Sequence, residues 1–171
     1  MNELRKLGVN AIRTAHNPPS PEFLDLTDRM GFLVMDELFD QWTGAKNPFD
    51  YHKDFNEWSK IDVADTVRRD RNHPSVFIYS AGNEIRDNHA DQEKAKRTLR
   101  GLVDAFHEND PTRPVTQALF GQISKELTIT TTVSLTLSMS SGKTIAKRKF
   151  SPRTNKSLLA RSSAQRTTDR V

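Results

Sequence analysis

Apolar residues in this chain fall into short continuous runs, separated by stretches where they recur every three or four positions. Gly8-Val9-Asn10-Ala11-Ile12-Arg13 alternates and predicts a short strand. Phe32-Leu33-Val34-Met35 and Ser75-Val76-Phe77-Ile78-Tyr79-Ser80 are continuous, as expected of strands buried on both faces. Pro114-Val115-Thr116-Gln117-Ala118 predicts a fourth strand. Between these runs the period changes. Phe23, Leu26 and Met30 stand at i, i+3, i+7. Trp58, Ile61, Ala64 and Val67 lie three apart on a helix from about Asn56 to Asp70, which places Trp58 in the core. Leu99, Leu102, Val103 and Phe106 mark a helix starting near Asp91.

The punctuation agrees. Gly8 stops a helix over Asn2–Leu7, and Gly31 stops the second helix. Ser20 is an N-cap with Pro21 at the first helical position. Pro74 ends the helix before the third strand, and Pro111 and Pro114 bracket a turn. The order α-β-α-β-α-β-α-β predicts parallel βαβ units. Ligands of such sheets sit at the carboxyl ends of the strands.

Those ends carry Arg13 and His16, then Asp36, Glu37 and Asp40, then Asn83 and Glu84. Carboxylates beside Arg, His and Asn suit a polyhydroxylated ligand. Two opposed carboxyls also serve glycoside hydrolysis, one as proton donor and the other as nucleophile or base. Acidic strand ends equally make helix caps and ion pairs, so the pattern alone leaves both readings open. Residues 41–55 form an irregular loop rich in aromatics, in which Trp42 is either a sugar-stacking platform or a packing aromatic. His73 before Pro74 is expected to fix the turn into the strand rather than to do chemistry.

Charge divides the chain. Residues 121–171 hold ten Lys or Arg against two acids, a net +8, whereas residues 1–120 hold 16 basic and 20 acidic side chains, a net −4. The last third is also rich in Ser and Thr, with 18 among 51 residues, and has neither Trp nor Tyr. It is read as a separate basic tail, 121–171, without structure of its own. Its Lys147-Arg148-Lys149 cluster invites a nucleic-acid reading, but no folded reader motif accompanies it, and no nucleic-acid partner is expected. The chain has no cysteine, which removes disulfides, thiolate metal sites and cysteine nucleophiles. The longest apolar run, within Val76 to Ala81, is far short of the roughly 18 residues of a membrane span, so no membrane partner is expected. The first residues lack the charged-then-apolar order of a signal peptide, which leaves localisation open.

Longer motifs narrow the function. Val9 through Pro18, containing Asn10-Ala11-Ile12-Arg13-Thr14-Ala15-His16-Asn17, and Asp25 through Glu37 resemble the catalytic barrel of glycoside hydrolase family 2. Arg69-Asp70-Arg71-Asn72-His73-Pro74-Ser75-Val76 through Gly82-Asn83-Glu84 resembles its central motif. The resemblance covers about residues 1–120, with three motifs in order. It implies an incomplete (β/α)8 TIM barrel, about strands 2–5, since 171 residues fall short of the roughly 250 of a whole barrel. The implied activity is retaining hydrolysis of O-glycosidic bonds with a carbohydrate substrate. Gly82-Asn83-Glu84, and Asn17-Pro18 after His16, look more like the β-galactosidase branch than the β-glucuronidase or β-mannosidase branches.

By that match Glu84 is the general acid/base and Asn83 binds a sugar hydroxyl. His16 faces the sugar, Arg13 orders the surrounding carboxylates, and Asp36 and Glu37 shape the pocket floor. Some β-galactosidases of the family bind magnesium through a Glu and a His just beyond the Asp-Glu pair. Gln41 and Thr43 stand there, so no metal and no other cofactor is expected.

The first barrel strand, the last three and the accessory β-sandwich domains are not matched. Nor is the family's nucleophile Glu, because Glu126 is the single Glu among residues 121–171 and no family motif surrounds it. The tail suggests a cause. Back-translated one frame over, Thr128 to Gly142 permits Asp-Tyr-Asp-Asn-Gly-Leu-Ala-Asp-Leu-Leu-Asp-Val-Val-Gly. Lys143 onward permits Asn-Tyr-Arg-Glu, and Ala160 to Arg166 permits Lys-Ile-Ile-Gly-Thr-Glu. These phrases resemble the family's continuation, which points to a frameshift near Glu126. The expectation is a glycosidase fragment that is inactive by itself, or a non-catalytic carbohydrate-binding remnant of the same barrel.

Overall fold

The structure is a computed structural model and describes residues 1–118; the tail reading, with its shifted frame, lies outside the described residues. Helix α1 (Asn2–Lys6) leads to β1 (Ala11–Arg13), α2 (Pro21–Met30) and β2 (Leu33–Glu37). A 3-10 turn over Tyr51–Lys53 precedes α3 (Phe55–Asp70) and β3 (Val76–Ser80). Helices α4 (Asp87–Ala90) and α5 (Gln92–Asn109) then lead to β4 (Val115–Thr116). All strand pairs are parallel, in the spatial order β1-β2-β3-β4. Strand order that follows chain order, with a helix between successive strands, is the arrangement of a partial TIM barrel.

Local chemistry accounts for the element boundaries. Ser20 accepts a hydrogen bond from the Phe23 N–H at 3.3 Å, and Pro21 occupies the first turn of α2. Gly31, at φ +70°, ends α2 in the left-handed conformation that glycine adopts without strain. Asp91 caps α5 by accepting from the Lys94 N–H at 2.9 Å.

The core lies between the sheet and its helices. Val34, Val76 and Tyr79 of the strands meet Leu24 of α2, Val63 and Val67 of α3, and Leu99, Leu102 and Phe106 of α5. Tyr79 and Phe106 stack with centroids 5.3 Å apart, and the Tyr79 hydroxyl donates to Asp110. Burial would raise the Asp110 carboxyl, but hydrogen bonds from Thr112, Arg113 and Tyr79 outweigh it and hold it down at about 2. His73 meets Asp28 at 2.6 Å, and Asp28 also accepts from the Ser75 N–H, so His73 fixes the entry to β3.

Two helix faces differ from the sequence pattern. Helix α3 buries Phe55, Ser59, Val63 and Val67, a stripe four residues apart, and then Asp70 three further on. Trp58 and Ile61 lie on its outer side, 46% and 47% exposed, so Trp58 is not a core residue. An i, i+3 row drifts around the helix by about 60° per step, whereas the i, i+4 row stays closer to one line. In α2 the fully buried pair is Leu24 and Thr27, with Phe23, Leu26 and Met30 half-buried beside them. The Thr27 hydroxyl is tolerated there because it donates to Leu24 O and meets Ser75 Oγ at 2.9 Å.

Candidate active site

The candidate residues lie where β1, β2 and β3 end. Strand β2 closes on Asp36 and Glu37, and a strand sends consecutive side chains to opposite faces. The register pairs Glu37 with Ser80 and Asp36 with Tyr79. Glu37 therefore shares Ser80's face, and Asp36 shares that of Tyr79, which packs on α5.

Glu37 is fully buried and surrounded by donors. Arg13 Nε donates to its Oε2 at 2.8 Å, and Arg13 Nη2 to its Oε1 at 2.8 Å, a bidentate pair. Ser80 Oγ donates to Oε2 at 2.8 Å, and His16 Nδ1 lies 2.9 Å from Oε1. The Glu37 N–H donates to Thr14 Oγ1 at 2.9 Å, which ties β2 to the end of β1. Arg13 Nη2 also donates to Asn83 Oδ1 at 2.6 Å, and Asn83 Nδ2 donates to Asp40 Oδ1 at 2.9 Å. Burial would raise Asp40, but hydrogen bonds from Lys46 and Asn83 outweigh it and hold the carboxyl below its ordinary range. Arg13, His16, Glu37 and Asn83 thus form one network, as the sequence suggested. Within it Arg13 pairs with one carboxylate, that of Glu37, and with the Asn83 side-chain amide.

Glu84 follows directly. Its side chain is exposed, and its backbone stands at φ +42°, in the left-handed region that non-glycine residues rarely occupy. The turn before it is tight. A Cβ on Gly82 would come within 2.6 Å of Ile85 Cδ1 and 3.0 Å of Trp42 Nε1. No other residue type fits this position without displacing one of those neighbours.

Two candidates are elsewhere. Asp36 does not form the pocket floor; it points between the sheet and α3, fully buried, and neither oxygen has a hydrogen-bond partner among the described residues. Burial, then the like charge of Asp70, pushes its carboxyl up to about 8, against a smaller downward pull from Arg69. The period-2 alternation that brings Glu37 into the site necessarily takes Asp36 out of it. Trp42 is fully buried, with Nε1 donating to Ala81 O at 2.7 Å and its ring against Phe55, so no face is free to stack on a sugar. It is the packing aromatic of the two readings.

Four residues join the network without having been assigned to it from sequence. Ser80 is identified by strand register with Glu37. Asp40 was visible as a third strand-end acid. Thr14 and Lys46 carried no signal, because one acts through a loop hydroxyl and the other reaches back across six residues to Asp40. A hollow of about 300 Å³ opens behind Asp40, between Asn17–Pro18, Leu38–Gln41 and the Asp62–Arg69 flank of α3.

The positions that would hold magnesium do not suit it. Thr43 Oγ1 donates to Asp87 Oδ1 at 2.5 Å. The Gln41 amide, turned to satisfy both its ends, donates to Asp40 Oδ2 and accepts from the Tyr51 N–H. Both side chains are neutral and already engaged, and the ammonium of Lys46 stands against Asp40 at 2.7 Å. Among the described residues no group of three or more His, Asp or Glu is arranged to hold a metal, and no helix is long and apolar enough to cross a membrane.

The model of the family described as glycosyl hydrolases family 2, TIM barrel domain, matches residues 1–156. Beta-galactosidase BoGH2A of Bacteroides ovatus is 56% identical over 88 residues, 52% of this chain and 10% of that protein. A putative beta-glucuronidase of Formosa agariphila is 44% identical over 115 residues, 66% of this chain and 10% of that protein. A solved family 2 member from Bacteroides cellulosilyticus superposes with a TM-score of 0.68 at 39% identity, covering 74% of this chain and 16% of that one. The chain therefore spans about a tenth of the length of these curated relatives.

Proposed function

The chain belongs to glycosyl hydrolase family 2, within its TIM-barrel domain, and on that premise we propose that it is a catalytic fragment of a retaining β-galactosidase. Glu84 is the general acid/base, and Asn83, His16, Arg13 and Glu37 make up the sugar-binding side of the site. The observation that carries this reading is the Arg13–Glu37–Asn83 network, which fixes the residue directly before Glu84 at the strand ends. In retaining hydrolysis the acid protonates the leaving oxygen while a second carboxylate attacks the anomeric carbon. The same acid then deprotonates the water that releases the sugar.

Glu37 is a poor candidate for the nucleophile. Its two oxygens are engaged by Arg13, His16 and Ser80, so its lone pairs are committed to the protein. No other part of this chain offers the family's nucleophile motif, so the isolated chain does not turn over. Residues 121–171 are read as a frame-shifted segment whose alternative frame would restore that motif. Beta-glucuronidase specificity is the second reading, favoured by the putative beta-glucuronidase relative.

The test is a chromogenic assay of the whole chain with an aryl β-galactoside and an aryl β-glucuronide, beside sequencing of the coding DNA. The expected result is no turnover of either, with the shifted frame encoding the nucleophile phrase. Turnover abolished by Glu84→Gln would support Glu84 and overturn the claim of inactivity; its substrate preference would separate the two specificities.

A further inference from the structure

The loop between β2 and α3 sends one side chain back to the strand ends. Lys46 is 12% exposed at its side chain, and its ammonium carries three N–H donors and no acceptor. Three oxygens meet them: Asp40 O at 2.7 Å, Asp40 Oδ1 at 2.7 Å and Asn83 O at 3.0 Å. The third belongs to the residue just before Glu84.

That carbonyl precedes a strained position. A non-glycine residue at positive φ is strained and persists only where its surroundings hold it. Here the Asn83 N–H donates to Phe39 O at 2.9 Å and the Ile85 N–H to Ala118 O at 3.0 Å. The Asn83 side chain is held by Arg13 and Asp40. Lys46 holds the remaining group, the Asn83 carbonyl. Its own backbone is anchored in turn, with its N–H donating to Asp50 Oδ2 at 2.8 Å. Gln41 and Thr43 bring no charge, so the cation against Asp40 and Asn83 is the chain's own.

We infer that Lys46 is the positioning residue of the Asn83–Glu84 turn, its ammonium serving as a built-in cation that fixes the direction in which the Glu84 carboxyl leaves the strand end. The catalytic importance of this role rests on Glu84 being the proton donor. The geometry of the turn does not, and the experiment reads the turn alone.

The full chain labelled with nitrogen-15 is followed by amide hydrogen exchange and by its lysine ammonium signals. In the unmodified chain a slowly exchanging Lys46 Nζ signal is expected; if it exchanges as freely as that of exposed Lys6, the proposal is overturned. In Lys46→Met the Asn83 and Ile85 amides should exchange at least tenfold faster, with the α5 amides unchanged. Exchange that is unaltered at both, or faster throughout the chain, overturns the proposal as well. In Lys46→Ala, ethylammonium should restore protection at those two amides in a concentration-dependent way, and sodium chloride at equal ionic strength should not. Lys46→Arg keeps the charge on a planar fork that does not match three converging oxygens, so only partial protection is expected. Failure here would leave the assignment of Glu84 untouched, since that depends on turnover.

Discussion

Asp36 and Glu37 are neighbours in sequence, both carboxylic acids and both fully buried, yet they occupy opposite electrostatic situations. Glu37 faces the strand-end network and is met by a bidentate arginine, a serine and a histidine. Asp36 faces the helix layer, with no hydrogen-bond partner among the described residues and Asp70 near it. Burial penalises a carboxylate on either side of the sheet. What differs is the compensation. The front carboxyl is paired with a guanidinium, and the back one escapes the penalty by holding a proton.

The contrast can be broken most strongly from the front. Arg13→Met leaves a buried charge without its main partner, and breaking a buried pair in this way costs about 3–5 kcal/mol. Urea denaturation at pH 7 should show that loss; a change under about 1 kcal/mol would mean that water or His16 compensates Glu37. The back carboxyl comes next. Its folded value, about 8, lies above the ordinary 3.8, so between those values the folded chain binds more protons than the unfolded one. Its contribution therefore lowers stability as pH rises from about 4 to about 8, and it levels off above that. Asp36→Asn should flatten this slope, so that the variant gains on the parent as pH rises and is the more stable of the two by pH 9. Parallel stability curves for the two proteins between pH 5 and 9 would refute the assignment.

Ser80→Ala tests the front more gently. It removes one donor to a charged acceptor, and a loss of about 1.5–3 kcal/mol is expected, smaller than that of Arg13→Met. Trp58→Gln should give the least effect, below about 1 kcal/mol, because its ring lies on the outer side of α3. A larger destabilisation would show that this face is packed in solution.

The fold was legible because apolar runs and helical spacing are local signals. Ser20, Gly31 and Asp91 ended or started helices where their side chains and backbone freedom required it. The helix faces were less legible. In α3 a period of three and a period of four both ran through Val67, and tertiary packing selected the row through Val63. At the site, Arg13, His16, Glu37 and Asn83 were found because their positions at strand ends bring them together. Asp36 lies apart because strand alternation sends adjacent residues to opposite faces, which the charge pattern alone does not show. Trp42 was undecidable from sequence, since an aromatic in a loop can face solvent or the core equally well. Lys46 was invisible because two of its three partners are backbone oxygens, one of them on another loop.

The two tryptophans of this chain give it a ready optical readout. Trp58 is open to solvent, so acrylamide should quench it and leave Trp42 emitting. Trp42 is sealed, and its indole N–H is bound to Ala81 O, against Gly82 and two residues before Asn83. After quenching, the remaining fluorescence reports on the turn that carries Glu84. Ligand docking or loss of the Lys46 anchor could then be followed by a blue or red shift of one residue, without any label.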